Sequence, residues 1–233
     1  MTRKPIIAID GPAGAGKSTV ARLVAERLGL LYLDTGAMYR AITLAILRAE
    51  IGWDFNSKDC LAEISDLLDQ TLISLLPPNS TDQPVQVWLN GANVTEEIRQ
   101  SLVTSKVSAI AALPQVRQVL SKQQRDYGQV GGVVMEGRDI GTEIFPDAEL
   151  KIYLTASVKE RAERRQRELC AKGNQKEIEI ETIMQSISDR DYQDSHRTIA
   201  PLTRASDAIE VDTDGRSITE IVESILDLFS SLP

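Results

Sequence analysis

Apolar positions fall into two rhythms along this chain. Ile6 to Ile9 is an unbroken apolar run, the pattern of a strand covered on both faces, and residues 17–28 follow at helical spacing. A short apolar stretch closes at Leu33, and a second helical pattern runs from Ala37 to Arg48, stopped by Gly52. Helical spacing returns at Leu61, Ile64, Leu67 and Leu68, and then Pro77 and Pro78 interrupt the chain. Beyond them Val85, Val87 and Leu89 alternate with Gln86, Trp88 and Asn90, a half-buried strand that ends in an Asn90-Gly91 turn. Turns this short join antiparallel strands, so residues 57–100 read as a small α+β insertion. Residues 101–128 read as helix around Pro114. Val133–Met135 and Leu150–Leu154 are further apolar strands, each followed by a helix. Ser157 with Glu160 announces the helix over 158–172 through a capping box, and Gly173 closes it. A helix over 176–196, a strand over Ala208–Val211 and a last helix opened by Ser217 and Glu220 complete the pattern. Strand and helix in alternation predict an α/β fold of three layers, a parallel central sheet flanked by helices, with a core of residues 1–56 and 101–233 around the insertion.

Composition narrows the class. The chain is 42% hydrophobic and 26% charged, which excludes fibrous and wholly disordered proteins. Cys60 and Cys170 are the two cysteines, too few and too far apart for a disulfide framework or a cysteine metal site. No stretch reaches the roughly 18 apolar residues of a membrane span, and the first residues lead into a strand rather than an apolar signal core, so a cytoplasmic protein without membrane contact is expected. The net charge of −8 argues against long nucleic acid as a partner. Residues 50–100 carry nine acidic residues against Lys58 and Arg99, whereas Arg161, Arg164, Arg165 and Arg167, with Arg190 and Arg197, cluster in the frame. Any bound phosphate is expected to meet these local basic groups. No long apolar stripe is left over, which points to a monomer.

The most specific signal follows the first strand. Gly11-Pro12-Ala13-Gly14-Ala15-Gly16-Lys17-Ser18-Thr19 fits G-x-x-x-x-G-K-[ST] and opens directly into a helix. Glycines permit the backbone angles that turn successive N–H groups onto phosphate oxygens, the helix N-terminus adds partial positive charge, and Lys17 reaches the β and γ phosphates of ATP. Ser18 is the candidate ligand for Mg²⁺. A GTPase switch would need Asn-Lys-x-Asp, which is lacking; Asp212-Thr213-Asp214-Gly215 imitates one switch motif after the wrong strand. Glu136, at the end of the Val133 strand, is placed to serve a metal through water.

Three further blocks, Asp34-Thr35-Gly36-Ala37-Met38-Tyr39-Arg40, Glu136-Gly137-Arg138-Asp139-Ile140-Gly141-Thr142 and Arg190-Asp191-Tyr192-Gln193-Asp194-Ser195-His196-Arg197, join the run from Leu89 to Arg99. Together with the cradle they resemble the bacterial cytidylate kinases, in order and over essentially the whole chain. The resemblance implies a P-loop kinase in which Arg40, Arg138 and Arg197 bind the acceptor monophosphate and Asp194 and Arg190 face its ribose. Asp34 and Thr35 would lie beside the acceptor. Ser108, Arg117 and Asp139 would read the cytosine edge, and Arg161 to Arg167 would form a mobile lid in which Arg161 and Arg165 join Lys17, Arg138 and Arg197 in catalysis. Departures are small: Glu136 stands where many members have Asp, Ser18 where many have Gly, and Gln193 where another Arg is frequent.

Elementary chemistry agrees. A nucleoside monophosphate has its second ionisation near pH 6, so at pH 7 the attacking oxygen needs no general base, and a site rich in arginine and poor in histidine suffices. The chain has one His. The resemblance, with which this chemistry agrees, implies transfer of the γ-phosphoryl of ATP to CMP or dCMP, with Mg²⁺. The alternatives are a kinase of another small acceptor such as UMP, or an ATP-binding regulatory module that docks a partner through its acidic insertion.

Overall fold

The computed structural model describes residues 4–76, 84–171 and 179–232. In chain order these form β1 (Ile6–Asp10), α1 (Lys17–Leu28), β2 (Leu31–Asp34), α2 (Thr35–Arg48), α3 (Lys58–Asp69), β3 (Ile73–Leu76), β4 (Gln86–Leu89), β5 (Ala92–Asn93), α4 (Ser101–Ala111) and α5 (Pro114–Gly128). There follow β6 (Val133–Gly137), β7 (Leu150–Thr155), α6 (Val158–Ala171), α7 (Ile180–His196), β8 (Ile209–Asp212) and α8 (Ile218–Ser230). The chain divides into two compact units, residues 1–32 with 128–233, and residues 33–127.

The first unit is built on the central sheet, ordered β2-β6-β1-β7-β8. β1 lies between β6 and β7, parallel to both, with Ile9 opposite Glu136 and Asp10 opposite Gly137 on one side and Tyr153 on the other. All five residues of β1 are buried, which is why its sequence lacks alternation. Ile7, Ile9, Val20, Val24, Ile152, Leu154, Ile221 and Ile225 form one core, in which α1 and α8 pack on the sheet. The strand ends β1, β6, β7 and β8 thus face one way, as parallel pairing requires, and the segments leaving them carry the charged motifs.

In the second unit β3, β4 and β5 form an antiparallel sheet in that order. Leu89 pairs with Ala92 across Asn90 and Gly91, whose φ angles of +49° and +81° give the hairpin turn that the Asn-Gly pair predicts. A single core runs through Met38, Ile42, Ile46, Ile64, Leu68, Ile73, Val87, Leu89, Ile98, Val107, Ile110 and Leu120. The stretch 57–100 therefore shares its interior with α2, α4 and α5, and the compact unit is wider than the boundaries at 57 and 100 expected from the sequence.

Local expectations differ at three points. The helix expected over 101–128 is two helices, broken at Ala112 and Leu113 because Pro114 disfavours helical backbone before it and opens α5 in its first turn. The capping box at Ser157 is half made: Ser157 Oγ accepts the Glu160 N–H at 3.2 Å, but Asp214 takes the Ser157 N–H at 2.9 Å and Arg164 takes the Glu160 carboxylate at 2.9 Å. At Ser217 and Glu220 both halves close. Pro77, Pro78, the Gly173 helix stop and residues 172–175 of the lid that the resemblance sets at about 157–175 lie outside the described residues. Among the described residues no helix is long and apolar enough to cross a membrane.

Candidate active site

β1 delivers Asp10 and then the glycine-rich turn. Gly11, Gly14 and Gly16 have φ of +145°, +81° and +89°, and a Cβ on Gly11 would stand 2.0 Å from the Leu154 carbonyl oxygen. Backbone packed this closely admits no side chain. Gly16 caps α1 without any side-chain acceptor, so the N–H groups of the first turn remain for an anion. Lys17 is buried and donates to the Pro12 carbonyl at 2.7 Å. Burial first, and the Arg138 charge next, hold its ammonium well below the ordinary lysine range. Ser18 and Glu136 have the oxygen chemistry a hard cation takes, while no cluster of three or more His, Cys, Asp or Glu side chains that could hold a metal occurs among the described residues. Ser18 is exposed in the first turn of α1; Glu136 is buried at the end of β6, accepting the Tyr32 hydroxyl, and its charge is felt at Lys17.

A second cluster hangs from the end of β6 and from α7. Arg138 Nε donates to Asp194 Oδ2 at 3.0 Å and Nη1 to the Gly137 carbonyl at 3.2 Å. Burial alone would raise the Asp194 pKa, but Arg138 and Arg190 outweigh it and hold the carboxyl below its usual range. Arg197 and Asp139 stand 3.6 Å apart, both side chains buried, and Arg197 Nε donates to the Ala200 carbonyl at 2.7 Å. Arg190 is pushed down to about 10, by burial first and Arg138 next, and its Nε has no hydrogen-bond partner among the described residues. Asp194, Asp191 and Asp139 offset part of the repulsion among these buried or half-buried guanidinium groups, and a further anion would offset more of it.

The arginines of α6 divide. Arg161 is 4% exposed; its Nε donates to the Ala156 carbonyl at 3.0 Å, Nη1 to the Ala13 carbonyl of the cradle at 3.1 Å, and Nη2 meets Asp191 Oδ2 at 2.6 Å. Arg164 bonds Glu160 and both Oγ1 and the carbonyl of Thr213, at 3.0 and 2.8 Å. Arg165 and Arg167 are solvent-facing and paired with Glu168 and Glu160, at 3.0 and 3.7 Å, yet the Arg165 charge still reaches Arg190. Arg161 thus stands apart from the exposed face to which its sequence run assigns it.

The remaining expected residues belong to the second unit. Asp34 Oδ1 caps α2 by accepting the Ala37 N–H at 3.0 Å, and its other oxygen lies 3.9 Å from Arg99. Thr35 is buried at the start of α2; Arg40 donates to the Ile98 carbonyl at 3.1 Å and to Thr104 Oγ1 at 2.8 Å. Arg117 is buried, donates to the Ala111 carbonyl at 3.3 Å, and lies 5.7 Å from the centre of the Tyr39 ring. Ser108 is half-buried on α4, one turn beyond Thr104.

Sequence reasoning passed over Asp10, Tyr32, Asp191 and Thr213. Asp10 accepts the N–H groups of Ile140 and Gly141 at 2.9 and 2.7 Å. Thr213, inside the discarded switch-like tetrad, is fully buried and donates to the Thr155 carbonyl at 3.0 Å while accepting Arg164. The one local hint was an acidic residue at a strand end, as at Asp10 and Asp212.

The family model described as cytidylate kinase matches residues 7–231. A bifunctional pantoate ligase/cytidylate kinase of Nostoc sp. is 54% identical over 227 residues, covering 97% of this chain and 41% of its own length. Proteins of that same description from a Synechococcus species and from Prochlorococcus marinus are 51% and 48% identical, each over 99% of this chain and over 41% and 44% of their own lengths. The chain thus spans about two fifths of the length of these curated relatives. A match over nearly every residue, with the cradle and the arginine motifs inside it, leaves one assignment: this chain belongs to the cytidylate kinase family.

Proposed function

We propose that the chain transfers the γ-phosphoryl group of ATP to CMP or dCMP, giving ADP and CDP or dCDP. The observation that carries this reading is the presence, on one unit of a cytidylate kinase family chain, of a phosphate cradle and a separate buried arginine cluster. Gly11 to Thr19 hold the donor phosphates, with Lys17 neutralising charge on the β and γ groups. Arg138 and Arg197, with Arg40, grip the acceptor monophosphate, while Arg190 and Asp194 take its ribose and Asp34 and Thr35 flank it. The acceptor oxygen arrives ionised, so these residues need only align it with the γ-phosphorus and neutralise charge as it builds. Ser108, Arg117 and Asp139 read the base: a carboxylate suits the N4 donor of cytosine and a guanidinium its N3 acceptor. Arg165, with Arg161 supporting the cradle, screens the transferring group from water. Ser18 and Glu136 would hold the Mg²⁺ that accompanies ATP, which would add neutralisation of phosphate charge. The stretch 57–100 serves the acceptor side, and the protein works as a cytoplasmic monomer on soluble nucleotides, with neither membrane nor long nucleic acid as partner.

The test is ADP release with a panel of nucleoside monophosphates. Turnover with CMP and dCMP well above UMP supports the reading. Preference for UMP or a non-nucleotide acceptor selects another kinase, and ATP binding without turnover on any acceptor selects a regulatory module. Light scattering of the purified chain checks the monomer.

A further inference from the structure

The cradle and the acceptor-side Arg138 leave the sheet on the neighbouring strands β1 and β6, and one side chain ties them together. Asp10 ends β1, immediately before Gly11, and is 5% exposed. Its Oδ1 accepts the N–H of Ile140 at 2.9 Å and its Oδ2 the N–H of Gly141 at 2.7 Å. These two amides open the wide turn over 140–144 that follows Arg138 and Asp139. The turn packs closely here: a Cβ at Gly141 would sit 3.1 Å from Lys151 Cδ, tighter than ordinary packing, and 3.4 Å from Asp10 Oδ2, in van der Waals contact. Lys151 is itself pinned, its ammonium bonded to the Pro146 carbonyl and to Asp207. Arg138 and Asp139 are therefore fixed from behind at the two residues that follow them, and from in front by Asp194 and Arg197. With both oxygens engaged by backbone and the carboxylate buried, Asp10 is built to hold a loop rather than to accept a substrate proton. A displacement of about 1 Å in a phosphate-gripping guanidinium is enough to lower turnover on the order of 100-fold.

We infer that Asp10 is a positioning residue that sets the distance between the donor cradle and the acceptor-side Arg138 and Asp139 by clamping the N–H groups of Ile140 and Gly141. The inference rests on the proposed kinase reading for its effect on turnover, but its structural half can be tested without catalysis.

The experiment compares wild type with Asp10→Asn, which keeps the shape but sets an amide donor against one of the two N–H donors. Amide exchange at Ile140 and Gly141 should quicken at least tenfold. CMP affinity should fall about tenfold and kcat about 30-fold or more, while ATP affinity, measured by titration calorimetry without acceptor, stays within threefold. Gly141→Ala crowds the pinned Lys151 behind the same turn and brings a methyl against the Asp10 carboxylate, so it should shift the turn and give the same acceptor-selective pattern, which covers the case in which Asp10→Asn does not fold. Unchanged exchange, unchanged acceptor parameters, or equal losses of ATP and CMP affinity would each overturn the inference. A wild type that fails to phosphorylate CMP sinks the kinase reading instead, while the exchange result and the ATP titration still decide whether Asp10 clamps the loop.

Discussion

Replacing Arg161 with Met separates a structural tie from a mobile catalytic arm. The Arg161 side chain is buried, its partners are two backbone carbonyls and Asp191, and one of those carbonyls belongs to Ala13 in the cradle. Methionine fills a similar volume but leaves Asp191 and both carbonyls without their donor. Breaking a buried ion pair from one side costs about 3–5 kcal/mol. Asp191 is 24% exposed, so water recovers part of that, and the low end, about 3 kcal/mol, is the fair expectation. In a protein of this size each kcal/mol moves Tm by about 2–4 °C, so Arg161→Met should melt roughly 6–12 °C lower. Asp191→Asn keeps an acceptor and should lose about half as much. The double variant should reveal a coupling of about 1–3 kcal/mol, because the two side chains share one bond. Differential scanning fluorimetry on the three variants reads the stability, and ATP titration reads the cradle, where the freed Ala13 carbonyl should weaken binding several-fold. If Arg161→Met melted within 2 °C of wild type while turnover collapsed, Arg161 would be a free catalytic arm and the tie described here would be wrong.

Four further outcomes are expected. Arg165→Ala, which removes an exposed pair, should change stability by no more than about 0.5 kcal/mol, and a loss of turnover without a shift in Tm would mark it as part of the lid. Lys17→Ala should leave CMP binding nearly intact and lower kcat at least about 100-fold, since one preorganised charge in the transition state contributes several kcal/mol; near-normal turnover refutes the cradle assignment. Asp139→Asn should shrink the ratio of kcat/KM for CMP over UMP about tenfold or more, because a mismatched buried polar pair costs about 1–3 kcal/mol, and an unchanged ratio would move the base reader elsewhere. Asp10 is raised to about 6, chiefly by burial and further by Asp139, against lowering by the two backbone N–H groups and Lys17. The folded state then binds the extra proton between about pH 4 and 6, so the Asp10 contribution favours folding below that window and is lost as pH rises through it. Urea melts should show wild type losing about 3 kcal/mol relative to Asp10→Asn between pH 4 and 7, and parallel pH profiles would contradict the burial argument.

What the sequence disclosed and what it withheld follow from range. The cradle was legible because its requirements are local: glycines where the backbone turns, a lysine at the first helical position, a buried strand before them. The hairpin at Asn90-Gly91 was legible for the same reason. Asp10 and Asp191 were not, since the Asp10 partners lie 130 and 131 positions away and the Asp191 partner lies 30 away, and no periodicity couples them. Ser157 and Ser217 make the point within one chain. Both head the same Ser-x-x-Glu pattern, yet only the second closes, because Asp214 and Arg164 claim the groups of the first. The arginine run on α6 read as one exposed face, whereas packing under the cradle withdrew Arg161 from it. Charge spacing states which residues share a helix, and only the neighbouring elements decide which of them meet water.

The place of β1 in the sheet bears on how the protein is made. β1 leaves the ribosome well before its sheet partners, because it pairs with β6 and β7, which begin at Val133 and Leu150. At about 5–20 residues per second the ribosome needs roughly 6–30 s to supply them. For that time Ile6 to Ile9, wholly apolar and with no partner for its backbone, is an exposed β-forming segment, whereas residues 33–127 form a compact unit from one contiguous stretch of chain. The strand that leads into the glycine-rich turn is thus an aggregation-prone segment of the nascent chain, and slowed translation between residues 10 and 133 should raise aggregation rather than improve folding.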